Sequence, residues 1–152
     1  MNREDVRKRL ETALEALVQN DGYMLEIAVA ERALVARLSQ YLMPLFPDYA
    51  IDTDYDRHGM ETKRAEIPSE CATKIDEAGK AIIIPDLIVH RRGNDNYNLL
   101  VVEAKKSSDR RGSNCDRLRV NALKRELGYQ FAALITFPVR RVPLEPPVVE
   151  WL

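Results

Sequence analysis

The stretch that decides the fold is "IIIPDLIVHRRGNDNYNLLVVEAKK", residues 82–106. Two apolar runs flank the polar segment "RRGNDN", whose composition is typical of a hairpin turn. Each run contains one acid, Asp86 in the first and Glu103 in the second. Burying an ionised carboxylate is expensive unless the charge is paired, so the two acids need a physical explanation.

The simplest hairpin register places the two acids face to face. If the turn is centred between Asn94 and Asp95, the numbers of paired residues sum to 189, and Asp86 lies opposite Glu103. Directly opposed like charges destabilise a strand pair, and two carboxylates in apolar surroundings cannot both stay ionised without a counter-charge. A divalent cation resolves this conflict, because carboxylate oxygens are preferred ligands of Mg²⁺.

The residues that follow Glu103 extend this acidic set. Residues i and i+2 of a strand share a face, so Lys105 is expected to point the same way as Glu103. The backbone carbonyl of Ala104 is available to a metal. Such a set can bind a metal ion and polarise a water for attack on phosphorus. The alternative is that Asp86 is a turn residue after Pro85, and that the acid and the lysine of the second run form an ordinary surface pair.

Hydrophobic spacing predicts the remaining elements. Apolar residues at helical spacing predict helices over residues 3–19, about 25–45 and about 115–127, with a break at "NDG" (20–22) and a stop at Gly128. Strands are predicted at 49–56, 81–90, 97–105 and 130–137. A long loop with a short helix near 69–78 is predicted over 57–79, and the Pro-rich tail is expected to dock through Val148, Val149 and Trp151. This order indicates an α/β fold with a mixed sheet of about four strands.

The strings "IPD" at 84–86 and "VVEAKK" at 101–106, joined by a hairpin, resemble the PD-(D/E)xK nuclease superfamily. The resemblance implies the restriction-endonuclease-like fold, with an αβββαβ core over about 25–137 flanked by helices. An extra N-terminal helix would complete a single domain of residues 1–152.

The resemblance also implies an activity, the Mg²⁺-dependent hydrolysis of phosphodiester bonds in nucleic acid, with DNA favoured over RNA. Asp86 and Glu103 would bind Mg²⁺, or Mn²⁺ as a substitute, together with the carbonyl of Ala104. Lys105 would orient or deprotonate the attacking water, or offset charge in the transition state. Glu31, within "AVAERALVARL", matches a glutamate that many members carry on the first core helix.

The charge distribution is compatible with a polyanionic partner. The net charge is −1, but residues 1–79 carry a balance of −6 and residues 80–152 a balance of +5. A solvated helix face is the alternative interpretation of the basic residues. The candidates for contact with nucleic acid are Arg57, Lys63, Lys106, Arg117, Arg119, Lys124 and Gln130.

Other features indicate a cytoplasmic protein. No apolar run is long enough to span a membrane, and the charged N-terminus lacks the apolar region of a secretory signal. Cys71 and Cys115 have no CxxC spacing and are interpreted as reduced thiols. A homodimer is compatible with cutting both strands of a duplex. Two other functions stay open, namely a catalytically inactive member of the same fold that binds nucleic acid or protein, and a structural module.

Overall fold

A computed structural model of the chain describes residues 1–55, 57–58, 61–62 and 64–152. For residues 57–58, 61–62 and 64–65 it describes the backbone alone. The helices of this part of the chain are α1 (Arg3–Glu26), α2 (Glu31–Leu42) and α3 (Asn114–Leu127). Its strands are β1 (Ala50–Thr53), β2 (Arg57–His58), β3 (Glu61–Thr62), β4 (Arg64–Ala65), β5 (Lys74–Ile75), β6 (Ala81–Ile82), β7 (Leu87–His90), β8 (Leu100–Lys106), β9 (Phe131–Phe137) and β10 (Val148–Trp151).

Five strands form one sheet in the order β1-β7-β8-β9-β10. β8 and β9 are parallel, and the other neighbours are antiparallel. The predicted α/β class and the mixed sheet are therefore confirmed. The sheet has five strands instead of about four because the C-terminal tail, which was expected only to dock, pairs along β9 as β10.

The predicted hairpin register is confirmed. Leu87 pairs with Val102, and Ile88 pairs with Val101, so the numbers of each pair sum to 189. Continuing this ladder by one pair brings Asp86 opposite Glu103. β7 begins only after Asp86, so this residue lies just beyond the paired region. Its side chain, in place of a backbone carbonyl, accepts the hydrogen bond from β8.

The predicted strand over 81–90 is wrong in one respect, since it is two strands in different sheets. β6 pairs with β4 and β5 in a small three-stranded sheet, and β7 belongs to the main sheet. Between the two strands lies Pro85, which has no N–H to donate to a ladder and therefore interrupts the pairing. The interruption frees Asp86 from a regular strand and leaves it at the junction of the two sheets.

Helices cover both faces of the main sheet. Val102 and Ala104 of β8 belong to the core beneath α1 and α2, whereas Val101 belongs to the core beneath α3. Successive side chains of a strand point to opposite faces. Glu103 and Lys105 therefore project toward α3, which brings that helix to the acids.

Two helices, α1 and α2, have boundaries that differ from the predictions, whereas α3 ends where predicted. α1 continues through the predicted break and is only kinked at Asp21, where φ is −127° and ψ is 25°. α2 begins at Glu31, after Ala28 has adopted a positive φ of 52°. α3 ends at Gly128 as predicted, because glycine accepts the left-handed φ of 69° there. None of the helices in the described part of the chain combines the length and the apolar character that a bilayer span requires.

The segment over 57–79 is not the long loop with a helix near 69–78 that was predicted. Its described backbone contains a β2–β3 hairpin, the strands β4 and β5, and a single 3₁₀ turn at Ser69–Cys71. That turn packs against the start of α3, where Cys71 forms a disulfide with Cys115 and the two Cα atoms are 4.9 Å apart. The prediction of two reduced thiols is therefore wrong. Disulfides are rare in reducing compartments, so the thiols no longer support a cytoplasmic location.

Candidate functional site

The two acids of the hairpin meet where β7 begins beside β8. Oδ2 of Asp86 accepts a hydrogen bond of 2.7 Å from the backbone N–H of Ala104. Glu103 is the preceding residue of β8, and its side chain is 5% exposed. In an extended strand the N–H and C=O of one residue point to the same neighbour, so the carbonyl of Ala104 lies on the side of Asp86. The structure thus brings together the two predicted carboxylates and the predicted backbone ligand.

The side chain of Glu103 is only half satisfied. Its Oε2 accepts a hydrogen bond of 2.9 Å from Nη2 of Arg119, which reaches down from α3. Among the described residues, no group donates to its Oε1, which is fully buried. A buried carboxylate oxygen without a partner is uncommon and calls for an explanation such as an ion or a catalytic role.

The three acids of the site all have raised pKa values, because they are buried and lie close to one another. Burial, reinforced by the charge of Asp86, raises the pKa of Glu103 to about 8 against the opposing effect of Arg119. Burial also raises the pKa of Asp86 to about 6, with the N–H of Ala104 opposing the shift and the charge of Glu31 adding to it. The pKa of Glu31 is itself raised, chiefly by burial. Clusters of perturbed acids of this kind are typical of functional sites.

Glu31 lies beside the acid pair, as its place in the sequence predicted. It is the first residue of α2, and it is half-buried. Together with Asp86 it lines a cavity of about 270 Å³. The backbone N–H of Lys106, the last residue of β8, acts against this rise in the pKa of Glu31. The start of α2 therefore lies close to the strand that carries Glu103.

Lys105 shares the face of Glu103, as predicted, but its ammonium bonds to other groups. The residue is 9% exposed, and its Nζ donates to the carbonyl of Arg111 at 2.8 Å and to Oγ of Ser113 at 3.1 Å. No hydrogen bond or ion pair of the described residues joins it to either acid of the pair. The long side chain instead fastens the loop between β8 and α3.

The predicted nucleic-acid contacts on α3 are engaged within the chain. Arg117 forms two hydrogen bonds of 2.8 Å with the carboxylate of Glu150 on β10. Lys124 donates to the carbonyl of Leu152 at 2.9 Å. Arg119 is directed into the acidic site and away from the surface where nucleic acid was expected to bind.

The other predicted contacts are scattered. Nζ of Lys106 lies 3.5 Å from the carbonyl of Ala28. Gln130 is exposed at the start of β9, four residues before the partner of Glu103, so it lies roughly 13 Å along the strand from the acid pair. Lys63 and the side chain of Arg57 lie outside the described residues.

Four charged residues near the acid pair were missed from sequence, namely Arg32, Asp54, Lys74 and Asp116. Asp54 follows β1 with a φ of 51°, and its N–H donates to the carbonyl of Asp86 at 3.3 Å. Arg32 faces it, with Nε 3.4 Å from the carboxylate of Asp54. Asp116 on α3 accepts a hydrogen bond from Arg119. Only Asp54 left a usable signal, since the string "DTDYD" concentrates acids at the end of a predicted strand.

Arg32, Asp54 and Lys74 line a second, larger cavity of about 610 Å³. Its lining includes the acid pair, Asp54 and three cationic side chains, namely Arg32, Lys74 and Arg119. Within the described ranges, no three His, Cys, Asp or Glu side chains form a group that could hold a metal ion. The free Oε1 of Glu103 and the adjacent carboxylate of Asp86 nevertheless suit a hydrated Mg²⁺, which takes one or two protein carboxylates and keeps several waters.

Comparison of the chain with protein-family models, with curated proteins and with solved structures finds no match in any of the three.

Proposed function

We propose that the protein is a small Mg²⁺-dependent nuclease that hydrolyses phosphodiester bonds, with DNA favoured over RNA as its substrate. The observation that carries the proposal is that Asp86 and Glu103 lie close together in the lining of one cavity. Oε1 of Glu103 has no partner among the described residues. Opposed carboxylates destabilise a strand pair unless a cation joins them.

The order of elements supports membership of the PD-(D/E)xK superfamily. α2, β1, β7, β8, α3 and β9 follow one another in the order αβββαβ that the resemblance implies. α1 and β10 are additions at the two ends, and the β2–β6 segment is inserted between the first two core strands. Asp86 immediately precedes the second core strand and Glu103 lies on the third, which is the arrangement that the resemblance implies.

In this proposal the residues of the chain have separate roles. Asp86, Glu103 and the carbonyl of Ala104 would hold the divalent cation, which when bound supplies Lewis-acid activation of a water and offsets charge on the phosphate. Glu31 would orient that water from the adjoining cavity. Lys105 would act on the same water after its Nζ has left the carbonyl of Arg111.

The rim of the larger cavity supplies contacts for the phosphate backbone. Arg32 has a side chain that is 86% exposed, and Lys74 is also exposed; both line the cavity that contains the acid pair. Cationic groups beside a carboxylate site attract a polyanion and position it, and binding of this kind weakens as salt increases. We therefore add Arg32 and Lys74 to the proposed contacts with nucleic acid.

The proposal is tested by cleavage and by metal binding. The wild-type protein should nick or degrade circular duplex DNA, single-stranded DNA or RNA with Mg²⁺ or Mn²⁺, and should do nothing in EDTA. Asp86→Asn should abolish both the cleavage and the rise of the thermal midpoint that Mg²⁺ produces by mass action. Asp48→Asn, the same change at an exposed acid, is the matched control and should behave like wild type.

An inactive member of the same fold that binds nucleic acid or protein is the second candidate. It is favoured by the hydrogen bonds of Lys105 to Arg111 and Ser113 and by the pairing of Arg119 with Glu103, because both cations are then satisfied without a substrate. A wild-type protein that binds Mn²⁺ but cleaves no form of nucleic acid would establish this candidate over the nuclease.

A further inference from the structure

Arg119 makes three hydrogen bonds inside the acidic site, although the sequence predicted a surface contact with nucleic acid. It extends from α3, and Nη2 bonds to Oε2 of Glu103 at 2.9 Å and also to Oδ1 of Asp116. Its Nη1 donates to the carbonyl of Cys71 at 3.2 Å. The side chain is only 19% exposed, so the guanidinium is held in place by three acceptors from three different segments.

The three acceptors fall into two groups that belong to different parts of the fold. Glu103 belongs to the middle of the main sheet and is fixed by its strand neighbours. Asp116 and the carbonyl of Cys71 form a separate position that is independent of the sheet. The Cys71–Cys115 disulfide holds this second position together, because it joins the turn carrying the carbonyl to the residue next to Asp116. The guanidinium can therefore give up Glu103 and remain bound.

We infer that Arg119 is the internal counter-ion of the acid pair, and that a divalent cation enters at Oε1 of Glu103 and displaces the guanidinium from Oε2. Arg119 is thus a positioning residue that sets the affinity of the site for the metal, and the Asp116–Cys71 position receives the guanidinium after displacement. The inference rests on the proposed metal site but makes no use of cleavage.

The physical basis is competition for one carboxylate. A guanidinium on Oε2 and a metal ion on Oε1 would lie only a few ångströms apart, so each positive charge opposes the binding of the other. Removing the arginine should tighten cation binding. Removing Asp116 should weaken it, because the guanidinium then has only one carboxylate partner, Glu103.

The experiment measures the dissociation constant for Mn²⁺ from the loss of the free-ion EPR signal, with the intact, disulfide-bonded protein. Arg119→Gln should bind Mn²⁺ at least about tenfold more tightly than wild type, and Asp116→Asn should bind it several-fold more weakly. Both variants lose the bond between Arg119 and Asp116, so structural damage alone would shift them in the same direction. Arg117→Gln is the matched control, since it removes the same charge from the same helix at a residue that pairs with Glu150.

Each outcome decides the inference. An affinity of Arg119→Gln equal to that of Arg117→Gln would overturn it and leave the proposed nuclease intact. If Arg119→Gln does not fold, Asp116→Asn carries the test, and binding as tight as wild type would overturn the inference. Absence of Mn²⁺ binding in wild type and every variant would overturn both the metal site and the inference. Binding by Arg119→Gln alone would support the displacement most strongly.

Discussion

Replacing Glu103 with Gln removes the charge of the most enclosed acid of the site while preserving its shape. The folded protein holds a proton on Glu103 more strongly than the unfolded chain does, because its pKa rises from the usual 4.5 to about 8 on folding. This contribution to stability is fully present below pH 4.5, falls as the pH rises, and is lost by about pH 8. Wild type should therefore lose stability across this range relative to the variant.

The size of the effect follows from the size of the pKa displacement. Each pH unit corresponds to about 1.4 kcal/mol, so the displacement sets a ceiling of about 5 kcal/mol on the difference between the two proteins. The opposing effect of Arg119 is already contained in the pKa of about 8, and local relaxation lowers the ceiling, so we expect a difference on the order of a few kcal/mol. Asp86 also titrates in this range, with a pKa of about 6, but it is present in both proteins.

The assay is urea unfolding of wild type and Glu103→Gln at intervals from pH 5 to pH 9, in EDTA so that no cation binds. The free energy of unfolding of the variant minus that of wild type should increase steadily with pH and level off above about pH 8. Glu77→Gln, at an exposed glutamate, is the control and should give a flat difference. A flat difference for Glu103→Gln would refute the reasoning, because Glu103 would then be ionised and fully compensated by Arg119 throughout.

Three further predictions concern parts of the fold that support the site. Reducing the Cys71–Cys115 disulfide, which closes a separation of 44 residues, should lower the free energy of unfolding by up to about 4 kcal/mol, measured by urea unfolding with and without reductant. Gly128→Ala should lower it by about 1 kcal/mol because alanine resists the left-handed φ, whereas Gly112→Ala, in open space, should have little effect in the same urea unfolding. Lys105→Ala should greatly reduce the proposed cleavage, with Mn²⁺ affinity mostly retained, and should make the loop after β8 more sensitive to trypsin because its hydrogen bonds are lost.

The hairpin could be predicted from sequence because its determinants are local. The composition of the polar segment indicated a hairpin turn, and the centre assumed for it, combined with the period of two, gave the residues that oppose each other. The register of 189 and the approach of Asp86 to Glu103 followed from that centre and that period. The end of α3 at Gly128 is local in the same sense.

The parts that could not be predicted depend on contacts between distant segments. Cys71 and Cys115 gave no spacing signal, since their approach requires that the turn at 69–71 folds onto α3. The hydrogen-bond partners of the Lys105 ammonium could not be predicted from the strand pattern either. The strand period gives the face of a side chain, but four methylene groups let the ammonium reach the nearest carbonyl, which the following loop supplies at Arg111.

The contacts of Arg119 could not be predicted either, because they depend on a distant segment and on the direction of a long side chain. They also change the interpretation of the acid pair. A basic residue on an amphipathic helix is usually solvated, and only the packing of α3 over β8 turns this one toward Glu103. One guanidinium then lies among Asp86, Glu103 and Asp116, so the cluster retains excess negative charge and Oε1 of Glu103 stays without a partner. Apolar side chains at the same positions would fit the surrounding core at no electrostatic cost. Such a local conflict with the rules of core packing is typical of a functional site, and a divalent cation is the ligand that would remove it.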